Sequence, residues 1–298
     1  MRWLDQLSAL GDSVLGVVFP QYCDFCNGPL DDDPSIPLCN ECQAGIERIP
    51  EPVCDRCGLP LPPVRAFTQL DRGPDGVCVE VRAEEEAAGT TPVPPEQSDQ
   101  SVYGPARATC PACILAPPPY HRAGFSVVYA GLVKEGVARF KYNGRLHLRR
   151  SLSELLLEGF GARYSPMDFD FVVPVPVHWK KLRTRGFNPA LLLASDLASR
   201  IRLPLHRRVL LKTRHTKAQV GLSRAERIRN LAGSFGVSDA RQVSGRRILL
   251  VDDVSTTGTT IREAATVLTS AGAARVDVLA LAARFTGGTP GRPSPKAT

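Results

Sequence analysis

Beyond residue 120 the apolar positions fall into blocks with two different periods, and the blocks alternate. "FSVVYAG", "FDFVVPVPV", "RRILLV" and "RVDVLALAA" are short and almost continuously apolar, which reads as buried strands. Between them, "LHLRRSLSELLLEGFGARY", "NPALLLASDLASRI" and "TIREAATVLTSAG" repeat apolar residues every three or four positions, which reads as helices. The second helix starts with Asn188 as its N-cap and Pro189 in its first turn, and the third is closed by Gly272. Strands buried on both faces and separated by helices predict an α/β fold, a mostly parallel sheet flanked by helices.

The first 120 residues look different. Residues 20–62 are short of apolar side chains, rich in proline, and carry six cysteines, so something other than a core must staple them. Residues 63–105 include "RAEEEAAGTTPVPPEQSDQS" and follow neither period, which predicts a disordered acidic, Pro-rich insertion. In the first twenty residues Trp3, Leu7, Leu10, Val14 and Val17 or Val18 share one helical face, a pattern suited to docking on the protein's own core. Asp5 and Asp12 break that stretch, and no small-residue cleavage site follows, so it does not read as a signal peptide. No run of about 18 uncharged apolar residues occurs, so no transmembrane segment is expected and the location is read as cytoplasmic. The resulting division is a cysteine-rich module over 1–62 and 106–120, the insertion over 63–105, the α/β domain over 121–285, and a flexible tail over 286–298.

Eight of the nine cysteines form four CxxC pairs: Cys23 and Cys26, Cys39 and Cys42, Cys54 and Cys57, Cys110 and Cys113. Each pair aims two thiolates at one tetrahedral ion, and two pairs complete a structural zinc site, which predicts two zinc ions per chain. A disulfide framework would require an oxidising compartment, and redox CxxC chemistry normally opens a helix in a βαβ unit. Four thiolates leave no open coordination position, so the metal serves the fold. Spacing favours the first two knuckles sharing one ion and the last two the other, with a crossed arrangement still open. Cys78, inside the insertion, has no CxxC partner and reads as a bystander.

The charge is uneven. Residues 65–109 hold eight acids and four bases, so with a chain total of +7 the remainder carries +11. A basic body suits a polyanionic partner, either a phosphate-rich small molecule or nucleic acid, although a solvated basic surface would look the same.

One stretch carries explicit chemistry. After the strand Arg247 to Val251 comes "DDVSTTGTT", leading into a helix that starts near Thr260. A strand-to-helix loop presents unpaired backbone N–H groups and the positive end of the helix dipole, a ready anion site. Thr256, Thr257, Thr259 and Thr260 add hydroxyl donors, and Gly258 lets the backbone close around a phosphate. Asp252 and Asp253 would repel that anion, so their task is to accept hydrogen bonds from sugar hydroxyls or to hold a divalent cation. A sugar phosphate satisfies both halves. The loop is neither a GxxxxGK[ST] nor a GxGxxG motif.

"ILLVDDVSTTGTT" resembles the phosphoribosyl pyrophosphate motif of type I phosphoribosyltransferases. "ARFKYNGR", "VVPVPVHWKKLRTRGFN" and "LKTRHTKAQVGLSRAERIRNLAGSF", together with the cysteine knuckles, narrow the resemblance to the ComF family of competence-related phosphoribosyltransferase-like proteins. It implies a type I phosphoribosyltransferase fold with a small N-terminal zinc-ribbon module ligated by cysteines alone. It further implies that the acidic pair binds the ribose hydroxyls, that the threonine-glycine loop holds the 5′-phosphate, and that magnesium accompanies phosphoribosyl pyrophosphate. Cations must face the pyrophosphate; the candidates are Lys141, Lys181, Arg183 and Arg185, with Asp252, Asp253, Arg183 and Arg185 the expected catalytic set. A second cluster, Arg214, Thr216, Gln219, Arg227 and Asn230, matches the family pattern on a segment that suggests a mobile flap. Pro189 stands where the family usually has glutamine, which removes an amide from that site. His178 and His215 read as structural.

Three readings follow. The chain is an enzyme transferring the phosphoribosyl group to an unidentified acceptor, a binding protein that handles single-stranded DNA beside other DNA-uptake proteins, or a zinc-ribbon interaction module on a transferase scaffold. Aromatic residues make up 6% of the chain, few for a stacking platform.

Overall fold

A computed structural model describes residues 22–30, 36–61, 108–142, 144–214 and 233–285. The expectations for the N-terminal segment, the insertion, Cys78, the tail and residues 215–232 lie outside the described residues.

Four strands, β1 (Ala123–Val128), β2 (Phe171–Pro174), β5 (Arg247–Ser255) and β6 (Arg275–Ala283), form one parallel sheet in the order β1-β6-β5-β2. Successive strand residues face opposite sides, so Leu249, Val251, Leu279 and Leu281 enter one core while Ile248, Leu250, Val278 and Ala280 enter the other. That two-sided burial is why these segments are apolar throughout rather than alternating. Helices α3 (Gly131–Tyr142), α4 (Leu148–Gly161) and α6 (Pro189–Arg200) fill the first core. Helix α7 (Thr259–Ser270) fills the second, together with the antiparallel pair β3 (Leu210–Lys212) and β4 (Phe235–Val237).

Several expectations are met closely. The strand read over "RVDVLALAA" is β6 residue for residue, and α6 begins as the caps required: the Asn188 carboxamide oxygen accepts from the Ala190 amide at 3.1 Å. Asn188 Nδ2 also donates to the Val175 carbonyl at 3.0 Å, which fastens the start of α6 to the end of β2. Other boundaries move. Strand β5 continues four residues past Val251, because Asp252, Val254 and Ser255 still pair with β6, so the acidic pair belongs to a strand end and not to a loop. Helix α3 and the short α5 (Trp179–Arg185) were not anticipated: α3 carries only a narrow apolar stripe among glycines and charges, and α5 buries no residue at all.

The cysteine-rich residues flank the sheet. Their Glu47 and Arg56 carbonyls accept from the amides of Val128 and Ala123 at 2.8 and 2.9 Å, covering the outer edge of β1. Phe25, beside the first knuckle, packs on Gly136 of α3, where an added Cβ would sit 2.3 Å from its ring; only glycine permits that approach. At the opposite edge, the amides of Val172 and His206 bind the Pro204 and Val172 carbonyls.

Candidate functional site

The cysteine knuckles are built twice on one plan. The Cys23 and Cys54 amides donate to the carbonyls of Gly28 and Leu59, closing turns that point the paired thiols inward. Cys39 and Cys110 each stand at the N-cap of a five-residue helix, α1 (Asn40–Ala44) and α2 (Pro111–Leu115). These four turns assemble into two clusters, Cys23, Cys26, Cys39, Cys42 and Cys54, Cys57, Cys110, Cys113, each with all its sulfurs within 4.8 Å of one another. Tetrahedral zinc with Zn–S bonds of about 2.3 Å sets its ligands about 3.8 Å apart. The Sγ separations Cys26 to Cys39, 3.6 Å, and Cys57 to Cys110, 3.8 Å, fit that requirement. All eight are free thiols. Burial would raise the Cys54 thiol, but the amides of Cys110, Cys57 and Arg56 outweigh it and lower the thiol to about 7, whereas burial raises the Cys57 and Cys113 thiols. The knuckles pair in sequence order, not crossed, and two structural zinc sites of four cysteines each result.

The second constellation gathers at the carboxyl end of β5, where open α/β sheets place ligands. Asp252 and Asp253 are 8% and 9% exposed. Lys141, in the last turn of α3, reaches across so that its Nζ lies 2.8 Å from Asp253 Oδ2, and the Asp253 amide donates to Asp252 Oδ1 at 2.8 Å. Burial, and then the charge of Asp253, push the Asp252 carboxyl up to about 8, so near neutral pH the pair holds a proton. Burial alone would lower the Lys141 ammonium, but the Asp253 carboxylate overrides it and raises it.

After the pair, the chain turns through Thr256 and Thr257 into Gly258, whose φ of +69° makes the left-handed corner that starts α7. Thr257 Oγ1 and Thr259 Oγ1 lie 2.9 Å apart, which sets two hydroxyls side by side at the helix N-terminus. Thr256 is exposed, Thr259 is buried, and Thr257, Gly258 and Thr260 are half-buried. Helix α7 has twelve residues and a glycine at its N-cap, so its N-cap residue brings no side-chain acceptor.

Of the other expected residues, Lys181 on α5 joins the cluster: desolvation lowers its ammonium, and the charges of Arg185 and Lys141 lower it further while Asp253 opposes them. Arg185 lies 4.9 Å over the exposed Tyr142 ring, next to Lys141 in the chain. Arg183 lies over the Trp179 ring of its own helix at 5.8 Å, and Arg214 follows β3 on the exposed surface. His178 caps α5, its Nδ1 accepting from the Lys180 amide at 3.3 Å, a structural role as expected. One member went unread: Lys212, at the end of β3, which senses both Lys181 and Asp252. Its only sequence signal was its place in the stretch "LKTRHTKAQVGLSRAERIRNLAGSF".

A groove of about 760 Å³ lies away from this site, between Tyr22 and Pro37 on one side and α4 and α6 on the other. Across it Arg149 pairs with Asp196 and Arg200 with Glu154.

Residues 188–294 match the phosphoribosyl transferase domain, and residues 14–81 match the double zinc ribbon domain. That second match stops short of Cys110 and Cys113, which complete the second cluster from beyond the insertion. The chain is 34% identical over 175 residues to DNA utilization protein YhgH of Escherichia coli K12, covering 58% of this chain and 76% of that protein. It is 28% identical over 177 residues to competence protein F of Haemophilus influenzae, covering 58% and 77%. Among solved structures, the allosteric regulatory enzyme of purine biosynthesis aligns at 26% identity with a TM-score of 0.31, over 44% of this chain but a quarter (25%) of that one.

Proposed function

The chain belongs to the ComF family, with competence protein F and DNA utilization protein YhgH, and from that premise we propose that it binds phosphoribosyl pyrophosphate with magnesium and transfers the phosphoribosyl group in the handling of incoming DNA. The observation that carries this reading is the division of labour at the end of β5. Two nearly buried carboxylates stand beside Lys141, and a left-handed turn then delivers paired hydroxyls at a helix N-terminus. The carboxylates accept from ribose 2′- and 3′-hydroxyls, and the α7 amides with Thr256, Thr257, Thr259 and Thr260 take the 5′-phosphate.

Asp253 is engaged by Lys141 and Asp252 carries a proton near neutrality, so these carboxylates fit a metal ion poorly in this state. Magnesium belongs on the ligand's own phosphate oxygens, where it would neutralise the leaving group. In the transfer, a lone pair on the acceptor forms the bond to C1 as the C1–O bond breaks, and pyrophosphate departs with that electron pair. The positive charge that develops on the sugar is met by the acidic pair, and the negative charge on the leaving group by Lys141, Lys181 and Arg185.

Calorimetry with phosphoribosyl pyrophosphate and magnesium tests the assignment. Wild type should bind, and Asp252→Ala with Asp253→Ala should not; equal binding by both refutes the site. Pyrophosphate release against a panel of bases and amines identifies the acceptor. A second reading, single-stranded DNA handling without transfer, is favoured by one surface. Trp179 and Tyr142 are 53% and 74% exposed and stand beside Lys180, Arg183 and Arg185. A flat acceptor panel alongside intact ligand binding would support it.

A further inference from the structure

The two CxxC turns that open the metal clusters use the residues between their cysteines differently. In the first, Cys23, Asp24, Phe25 and Cys26, both intervening residues reach the helical layer. Ser151 of α4 donates to Asp24 Oδ2 at 2.5 Å, Arg139 of α3 donates through Nη1 to the Phe25 carbonyl at 3.0 Å, and the Phe25 ring, 5% exposed, lies on Gly136 of α3. Gly136 and Arg139, one turn apart, share a helix face, so α3 is gripped by ring and carbonyl together. In the second turn, Cys54, Asp55, Arg56 and Cys57, the Cys54 and Asp55 carbonyls accept from Arg163, and the Arg56 carbonyl accepts from the Ala123 amide. Those contacts hold the start of β1 and the chain after α4, which carry none of the candidate site side chains.

Helix α3 depends on its grip. Its buried residues are Val133, Gly136, Val137 and Phe140, a stripe with a glycine in its middle. The Phe25 ring fills the place of the missing side chain and shares one core with Val133, Val137 and Phe140. Arg139 stands two residues before Lys141, whose Nζ lies 2.8 Å from Asp253 Oδ2. A chain of contacts therefore runs from the first knuckle, through the second half of α3, to the acidic pair. A slide of α3 by one residue's rise, about 1.5 Å, is enough to take the ammonium out of hydrogen-bond range of Asp253.

We propose that Phe25 is a positioning residue for Lys141: the first cysteine knuckle sets α3 in place through the Phe25 ring and so presents Lys141 to the acidic pair and to the ligand bound there. The two clusters then have different duties, the first serving the candidate site and the second the edge of the sheet. The proposal rests on the phosphoribosyl pyrophosphate reading for the ligand in the first arm of its test, and the second arm does without it.

The first arm is calorimetry on the full chain with phosphoribosyl pyrophosphate and magnesium. Lys141→Met should weaken binding about 10- to 100-fold, the value of one charge-assisted hydrogen bond. Phe25→Ala should weaken it about 10-fold, and the double variant no more than Lys141→Met alone, because a residue acting through Lys141 has nothing left to act on. Phe25→Leu keeps an apolar side chain against Gly136 and should restore most of the affinity. Gly136→Ala crowds the ring and leaves the knuckle sequence intact; it should show the same loss, likewise absorbed by Lys141→Met, which keeps the test decisive where Phe25→Ala loses its fold or its zinc. Arg163→Met loosens the second knuckle instead and should lower the melting temperature with no change in affinity. A Phe25→Ala loss that adds in full to that of Lys141→Met, or an equal loss in Arg163→Met, is a general structural effect and overturns the proposal. The second arm is thermal unfolding without ligand: the coupling between Lys141→Met and Asp253→Asn should vanish when Phe25 is replaced by alanine. Coupling that survives unchanged overturns the proposal even where the ligand binds. Coupling that vanishes in a chain whose wild type ignores phosphoribosyl pyrophosphate sustains the positioning role and refutes the ligand.

Discussion

Replacing Lys141 with methionine removes the cation that the acidic pair holds, and the structure sets bounds on the result. The Lys141 and Asp253 side chains are 15% and 12% exposed and 2.8 Å apart, so solvent screens the pair little. Breaking one side of such a buried pair typically costs about 3–5 kcal/mol. Methionine keeps most of the packing volume and spares the desolvation of an ammonium. The expected loss is therefore about 3 kcal/mol, a fall in thermal midpoint of about 6–12 °C for a domain of this size. Thermal unfolding by circular dichroism should be run on Lys141→Met, Asp253→Asn and the double variant. The double variant should recover much of the loss, with a coupling of at least about 1.5 kcal/mol. A Lys141→Met midpoint equal to wild type at pH 7.5, or strictly additive single variants, would refute the view of a tightly held pair.

Two further outcomes follow from the same geometry. Asp252, raised to about 8 when folded, makes the native protein bind a proton that the unfolded chain has already lost between about pH 4 and pH 8, so wild-type stability falls as pH rises through that window. Asp252→Asn should therefore stabilise the fold at pH 8, with a gain about 2 kcal/mol smaller at pH 6; a pH-independent difference in melting would contradict the burial argument. For the metal sites, atomic emission should find two zinc ions per wild-type chain, one in Cys110→Ser and two in Cys78→Ser, because the second cluster is closed by Cys110 and Cys113 across the insertion. Loss of zinc from the Cys78 variant would mean that the second site is ligated otherwise.

Much of the fold was legible because burial on both sheet faces forces a simple pattern. Strand β6 and helices α4, α6 and α7 are continuous or periodic enough to be recognised one segment at a time, and the caps at Asn188 and Gly272 mark their ends. Helix α5 was not legible. It buries nothing, so no apolar period records it, and it was visible only as the basic run "KKLRTR". The end of β5 was misjudged for a related reason: Asp252 and Asp253 look like loop residues, yet the ladder to Ala280 and Ala282 of β6 carries the strand past them. Lys212 was hidden because β3 is three residues long and its relevance depends on the position of β4, more than twenty residues later.

The amino-acid sequence by itself determined the chemistry on offer: four thiol pairs at metal-ligand spacing, a carboxylate pair, a run of hydroxyls with one glycine, and an excess of cations. Those are properties of residue type and short spacing, and they survive any folding of the intervening chain. Only the tertiary structure decided which groups meet. It paired the knuckles in order, although the insertion separates Cys57 from Cys110 by more than fifty residues. It set Lys141 on Asp253 and Arg183 over the Trp179 ring. A meeting of this kind is fixed by how α3 lies against the end of β5, and a side chain's distance along the chain says nothing about that placement.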